Sequence, residues 1–184
     1  MHFLRDPFPP ARDRSPVIDD GTRAARNATP LVIGIGNDFR QDDGAGLVVA
    51  RQLRSRARGR LRVIEHGGDG ISLLDAWNGA GLVVLVDAVR SGSAPGTIHH
   101  FDVRAAGLLS RPAIWSSSHA LGVADAVKLA ARLNCLPPAL LMYGIEGRRF
   151  GLGPGLSPEV KAAAEAVVER LLQSPGERGP RNNR

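Results

Sequence analysis

Only one cysteine, Cys135, occurs in 184 residues, which excludes an internal disulfide framework and any metal cluster built from cysteines alone. A reducing, cytoplasmic setting is the simplest expectation. Aromatic residues amount to 4%, and none interleave with basic residues as a stacking platform for single strands would require. Lysine is nearly missing: of 24 basic residues only Lys128 and Lys161 are lysines. The arginines are scattered along the chain, so the formal charge of +6 reads as a composition bias rather than a phosphate-binding surface. No nucleic-acid partner is expected. Nor does any run approach the roughly eighteen apolar residues of a membrane span, so no membrane partner is expected either.

What is present is a hydrophobic share of 43% and enough length for one domain with a real core, short of two. Residues 1–30 mix Pro, Arg and Asp without apolar periodicity and lack the apolar centre of a secretory signal, so they read as a flexible extension. Residues 174–184 (SPGERGPRNNR) read as a disordered tail. The folded part is expected over 31–173.

Within it, short apolar runs alternate with segments of helical period, the pattern of strands joined by crossover helices. An α/β fold follows. Strands are expected at 31–36 (LVIGIG), 61–65, 81–87 (GLVVLVD) and 139–145, with a more exposed one at 97–103. Helices are expected at 44–55, 71–77 and 119–133. A last helix begins with Ser157 as its cap and Pro158 at its first position, and buries a stripe of Val160, Ala163, Ala164, Val167, Val168 and Leu171.

Ligands of open α/β sheets bind at the carboxyl ends of the strands, so polar residues there are the candidates. Asp42 and Asp43 stand between the first strand and its helix. One Asp suffices to cap a helix, which leaves a functional role open for the other. Asp87 closes the most apolar strand, where a carboxylate is costly unless partnered; either a loop hydrogen bond or a metal or acid/base role would supply the partner. His119 follows three serines and opens a helix, where it could cap, pack or ligate. Two carboxylates and an imidazole suit a divalent transition ion with an open position. Other constellations fail on spacing. Gly34 and Gly36 open a dinucleotide fingerprint, but Phe39 stands where its third glycine belongs. No G-x-S-x-G nucleophile elbow occurs. Cys135 reads as a small apolar residue near a helix end. His99 and His100 are neighbours on a strand and face opposite sides.

Taken in order, the motifs resemble those of the hydrogenase maturation proteases. G-I-G-N at 34–37 and D-D-G-A-G at 42–46 are similar to that family's opening signature. Gly67, Gly68 and Gly70, then Val86-Asp87-Ala88, then A-P-G-T at 94–97, S-H-A-L-G at 118–122 and G-L-S-P-E at 155–159 follow in the family's order. Each block alone is ordinary turn and cap chemistry, and their sequence is what makes the likeness specific. The resemblance implies a three-layer α/β domain, its twisted, mostly parallel central sheet flanked by helices on both faces, and an endopeptidase that removes a C-terminal extension from a nickel-iron hydrogenase large subunit once nickel is inserted. It places the metal-contacting, catalytic set on Asp43, Asp87 and His119. It also implies no permanent cofactor, since nickel would arrive bound to the substrate precursor. A monomer is expected. Two departures bear on substrate choice: His66 stands where many relatives have Asp, and Asp69 where they have Thr. Asp43 replaces a Glu found in some relatives. Two other readings remain at this stage, a non-catalytic nickel-checking or chaperone-like partner and a small-molecule hydrolase.

Overall fold

The computed structural model describes residues 29–104 and 122–176. The expected extension at 1–30 and tail at 174–184 lie outside the described residues except for 29–30 and 174–176, and His119 lies outside them as well. The chain runs through β1 (Leu31–Ile35), a 3-10 turn (Gln41–Gly44), α1 (Ala45–Arg56), β2 (Arg62–His66), α2 (Gly70–Ala76), β3 (Leu82–Val89), β4 (Ile98–Asp102), α3 (Val123–Arg132), β5 (Ala139–Glu146) and α4 (Pro158–Gln173). The sheet order is β2-β1-β3-β5-β4, with the first four strands parallel and β4 antiparallel on the edge.

Strand side chains alternate between faces, and the two apolar clusters divide accordingly. Val32, Val84, Val86, Leu141, Tyr143 and Ile145 meet α1 and α4 on one face. Leu31, Ile33, Ile35, Val83, Leu85 and Met142 meet α2 and α3 on the other. A sheet covered on both faces needs nearly continuous apolar strands, which is why β1 and β3 are buried along their whole length. Each such aliphatic side chain contributes about 1.5–3 kcal/mol when fully buried. The three-layer architecture is as expected. No helix among the described residues is long and apolar enough to cross a membrane.

Several details differ from the sequence expectation. β3 continues two residues past Asp87 to Val89, because β5 pairs with it up to Val89 opposite Glu146; Asp87 therefore sits inside the strand rather than at its end. Ser157 precedes α4 as expected, but its side chain makes no capping bond to the helix. Cys135 is exposed, just beyond the turn that ends α3, rather than packed as an apolar residue.

Candidate functional site

After β1 the chain crosses by α1 to β2, and after β2 it crosses back by α2 to β3 on the other side of β1. The gap between β1 and β3 is thus a topological switch point, where the two connections leave in opposite directions and open a crevice at the strands' carboxyl ends. Asp43 and Asp87 flank that crevice. Glycines make their approach possible. A Cβ on Gly34 would stand 2.1 Å from the carbonyl oxygen of Gly46, and one on Gly46 would stand 2.2 Å from that of Val86 and 2.3 Å from that of Ile35. α1 therefore starts in direct backbone contact with β1 and β3. Gly36, at φ +149°, lets the loop pass where a Cβ would meet the Asp43 carbonyl oxygen at 1.9 Å. The glycines of the motif at 34–46 are what draw Asp43 to the end of β3.

The adjacent aspartates have separate roles, and neither caps α1, whose cap residue Gly44 offers no side chain. Asp42 is fully buried. It accepts hydrogen bonds from the backbone N–H of Arg148 (2.9 Å), Arg149 (2.7 Å) and Ser157 (2.6 Å), and from the Ser157 hydroxyl at 2.9 Å. Burial pushes its pKa up, but these donors outweigh burial and hold it below the ordinary carboxylate value. Asp42 ties the 3-10 turn to the loop between β5 and α4, which explains why Ser157 is turned away from its own helix.

Asp43 is also buried, with the Arg40 Nε 3.9 Å from its Oδ2. Asp87 is 1% exposed, and neither of its oxygens has a hydrogen-bond partner among the described residues. Burial and then the charge of Asp43 push its pKa well above the usual range, the adjacent Ala88 N–H pulling weakly the other way. Glu146 offers the contrast. It is equally buried at the carboxyl end of β5, yet it accepts from Ser91 N (2.8 Å), Gly92 N (2.9 Å) and Ser91 Oγ (2.7 Å), with His99 Nε2 at 3.4 Å. Those bonds hold it low against burial and anchor the loop after β3. The sequence reading missed Glu146, although a charged residue closing an apolar run carried the same signal there as at Asp87. His99 faces Glu146 while His100 stacks on Tyr143 at 4.3 Å, so the two histidines diverge as expected.

A second polar group stands at the carboxyl end of β2. His66 Nδ1 accepts from the Gly68 N–H at 2.9 Å, its Nε2 lies 2.9 Å from Ser72 Oγ, and Ser72 Oγ also bonds Asp69. With Nδ1 accepting, a neutral ring carries its proton on Nε2 and donates to Ser72, which donates to Asp69. Ser72 is thus not activated by the imidazole, and a histidine-assisted serine-nucleophile reading finds no support in this group. Asp69 caps α2 through the Ser72 N–H at 3.0 Å. Burial lowers the His66 pKa, the nearby Asp69 opposing it.

Comparison with known proteins decides among the readings. The family profile described as hydrogenase maturation protease matches residues 47–174. The chain belongs to the hydrogenase maturation protease family. It is 31% identical over 147 residues to the hydrogenase expression/formation protein HupD of Thiocapsa roseopersicina, covering 78% of this chain and 66% of that protein. It is 34% identical over 133 residues to Protein FrxA of Pyrococcus furiosus, covering 71% and 93%. Among solved structures, the [NiFe] hydrogenase maturation protease HybD from Thermococcus kodakarensis superposes with a TM-score of 0.67 at 30% identity, over 82% of this chain and all of that one. The protease is accordingly an endopeptidase with the three-layer fold of its relatives. The matched span contains Asp87 but begins just after Asp43; the crevice joins the two.

Proposed function

We propose that this protease removes the C-terminal extension of a nickel-iron hydrogenase large subunit after nickel insertion, with Asp43, Asp87 and His119 reading the nickel that the precursor brings. The observation that carries this is the Asp43–Asp87 pair: two buried carboxylates at the switch point between β1 and β3, near enough for the charge of Asp43 to raise the Asp87 pKa, with only the neighbouring Ala88 N–H among the described residues to oppose it. Such a pair is unfavourable in the free protein and is relieved by a cation. Oxygen donors with an imidazole suit a divalent transition ion already held by soft ligands on the substrate. The assignment of His119 rests on the S-H-A-L-G motif. The protease needs no metal of its own in this scheme, because the ion is part of the substrate.

Chemically, the ion beside the crevice would draw the proton from Asp87 and fix the precursor's metal end against the sheet. Attack on the peptide bond then falls to a water polarised at that position or directed by a carboxylate acting as base. The test is to incubate the purified protein with nickel-loaded and nickel-free precursor and weigh the products by mass spectrometry. Loss of a C-terminal peptide from the loaded form alone is expected. Asp43→Ala, Asp87→Ala and His119→Ala should each abolish it while circular dichroism stays native. Normal cleavage by Asp87→Ala or His119→Ala would sink the site assignment, and binding of a processable precursor without mass loss would point instead to a non-catalytic assembly partner.

A further inference from the structure

Two large apolar side chains are left in solvent beside the crevice. Phe39 is 77% exposed and Leu152 is 89% exposed, and the backbone sets them side by side through a bridge between Arg40 and Gly153. The ledge is rigid. Gln41 N donates to the Gly153 carbonyl (2.9 Å), Gly153 N to the Phe39 carbonyl (2.9 Å) and Asp42 N to the Arg149 carbonyl (3.0 Å), while Phe39 N donates to Asn37 Oδ1 at 2.9 Å. Asp42 fastens the same two loops from beneath. One residue along from Phe39, Arg40 reaches Asp43, so the ledge and the crevice share a frame. Single exposed apolar residues need no explanation. A pair carried on backbone already fixed by hydrogen bonds is different, because no loop has to be ordered before the two side chains serve as an anchor.

We propose that Phe39 and Leu152 form the docking step for the hydrogenase precursor, seating a segment that carries a large apolar side chain and a carboxylate beside the bond to be cut. The charge follows from the surroundings: Arg149 is exposed at the base of the ledge and Arg40 borders it, so an acidic companion to the apolar side chain is complementary. This rests on the reading of the substrate given above, but it concerns recognition of the protein rather than of its nickel.

Nickel-free precursor separates the two. Its affinity is measured by biolayer interferometry for the wild-type protein, for the double variant Phe39→Ser/Leu152→Ser, for Arg149→Glu and for Leu133→Ser. Leu133 is a control, 61% exposed at the end of α3 away from the crevice. Docking at the ledge predicts at least tenfold weaker binding for the double variant, several-fold weaker binding for Arg149→Glu, and no change for Leu133→Ser, with melting temperatures unaltered. Equal affinity of wild type and double variant, or no measurable binding by wild type, overturns the docking step. An unchanged Arg149→Glu overturns its acidic component. If the loaded precursor is never cleaved while the affinity difference stands, the protease assignment fails and the docking step survives.

Discussion

Asp42, Asp43, Asp87 and Glu146 are all carboxylates withdrawn from water, and their donors separate them. Asp42 has three backbone donors and a hydroxyl. Its Asp42→Ala variant would leave those groups unpaired in a dry site, a loss of about 3 kcal/mol that urea unfolding would read. Because the folded-state pKa of Asp42 is below 3.8, its contribution is complete above that value and disappears as pH falls through the lower one. Asp87 runs the other way. Its folded-state pKa lies well above 3.8, so the folded protein holds a proton that the unfolded chain releases, and stability declines as pH rises from 3.8 toward the raised value. Asp87→Asn removes that decline and lets an amide donate toward Asp43. It should raise stability at neutral pH by about 0.5–2 kcal/mol while abolishing cleavage; a destabilised Asp87→Asn would contradict the picture of an unrelieved charge pair. The sequence made Asp87 conspicuous because a carboxylate ended an apolar run. Local pattern could not tell Asp42 from Asp43, and only the family motif singled out Asp43, since their difference lies in Arg148, Arg149 and Ser157, more than a hundred positions away.

Among the elements, α1 is the one whose placement makes the site. Gly34 and Gly46 are small so that a helix end can touch two strands, and neither could be inferred from α1's own periodicity. Gly46→Ala would press a methyl group against the carbonyl oxygens of Val86 and Ile35, and neither can move without breaking the sheet. A loss of about 3 kcal/mol is expected, with cleavage falling further than stability because Asp43 rides on the displaced helix start. Gly79→Ala is the comparison: that glycine has φ +71° but nothing within 4 Å, so it should lower stability by about 1 kcal/mol and leave cleavage intact. Thermal melts with paired cleavage rates distinguish the two. Strands and helices were legible from the sequence because a two-sided sheet forces continuous apolar runs and the helices show a buried stripe. The end of β3 was not, because its last two residues are held by pairing with β5, a contact absent from the local pattern.

For the molecule as a whole, the order β2-β1-β3-β5-β4 puts the crevice where two crossovers diverge, with Asp87 beside it as the carboxylate whose pKa is raised. In the proposed scheme metal and proton compete for one carboxylate, so below the raised Asp87 pKa binding of the loaded precursor should release a proton. Below the raised pKa of Asp87, affinity for nickel-loaded precursor should weaken by up to about tenfold per pH unit, whereas affinity for nickel-free precursor should not follow Asp87. Calorimetric titrations in two buffers of different ionisation enthalpy would count the proton directly: release that is largest below the raised Asp87 pKa and fades above it for the loaded precursor, and none from this site with Asp87→Asn. Equal proton release by loaded and nickel-free forms would mean that the carboxylate pair responds to the polypeptide and not to the ion. In that case the charge conflict at the switch point would answer to the polypeptide alone, and the proposed reading of nickel by Asp43 and Asp87 would fail.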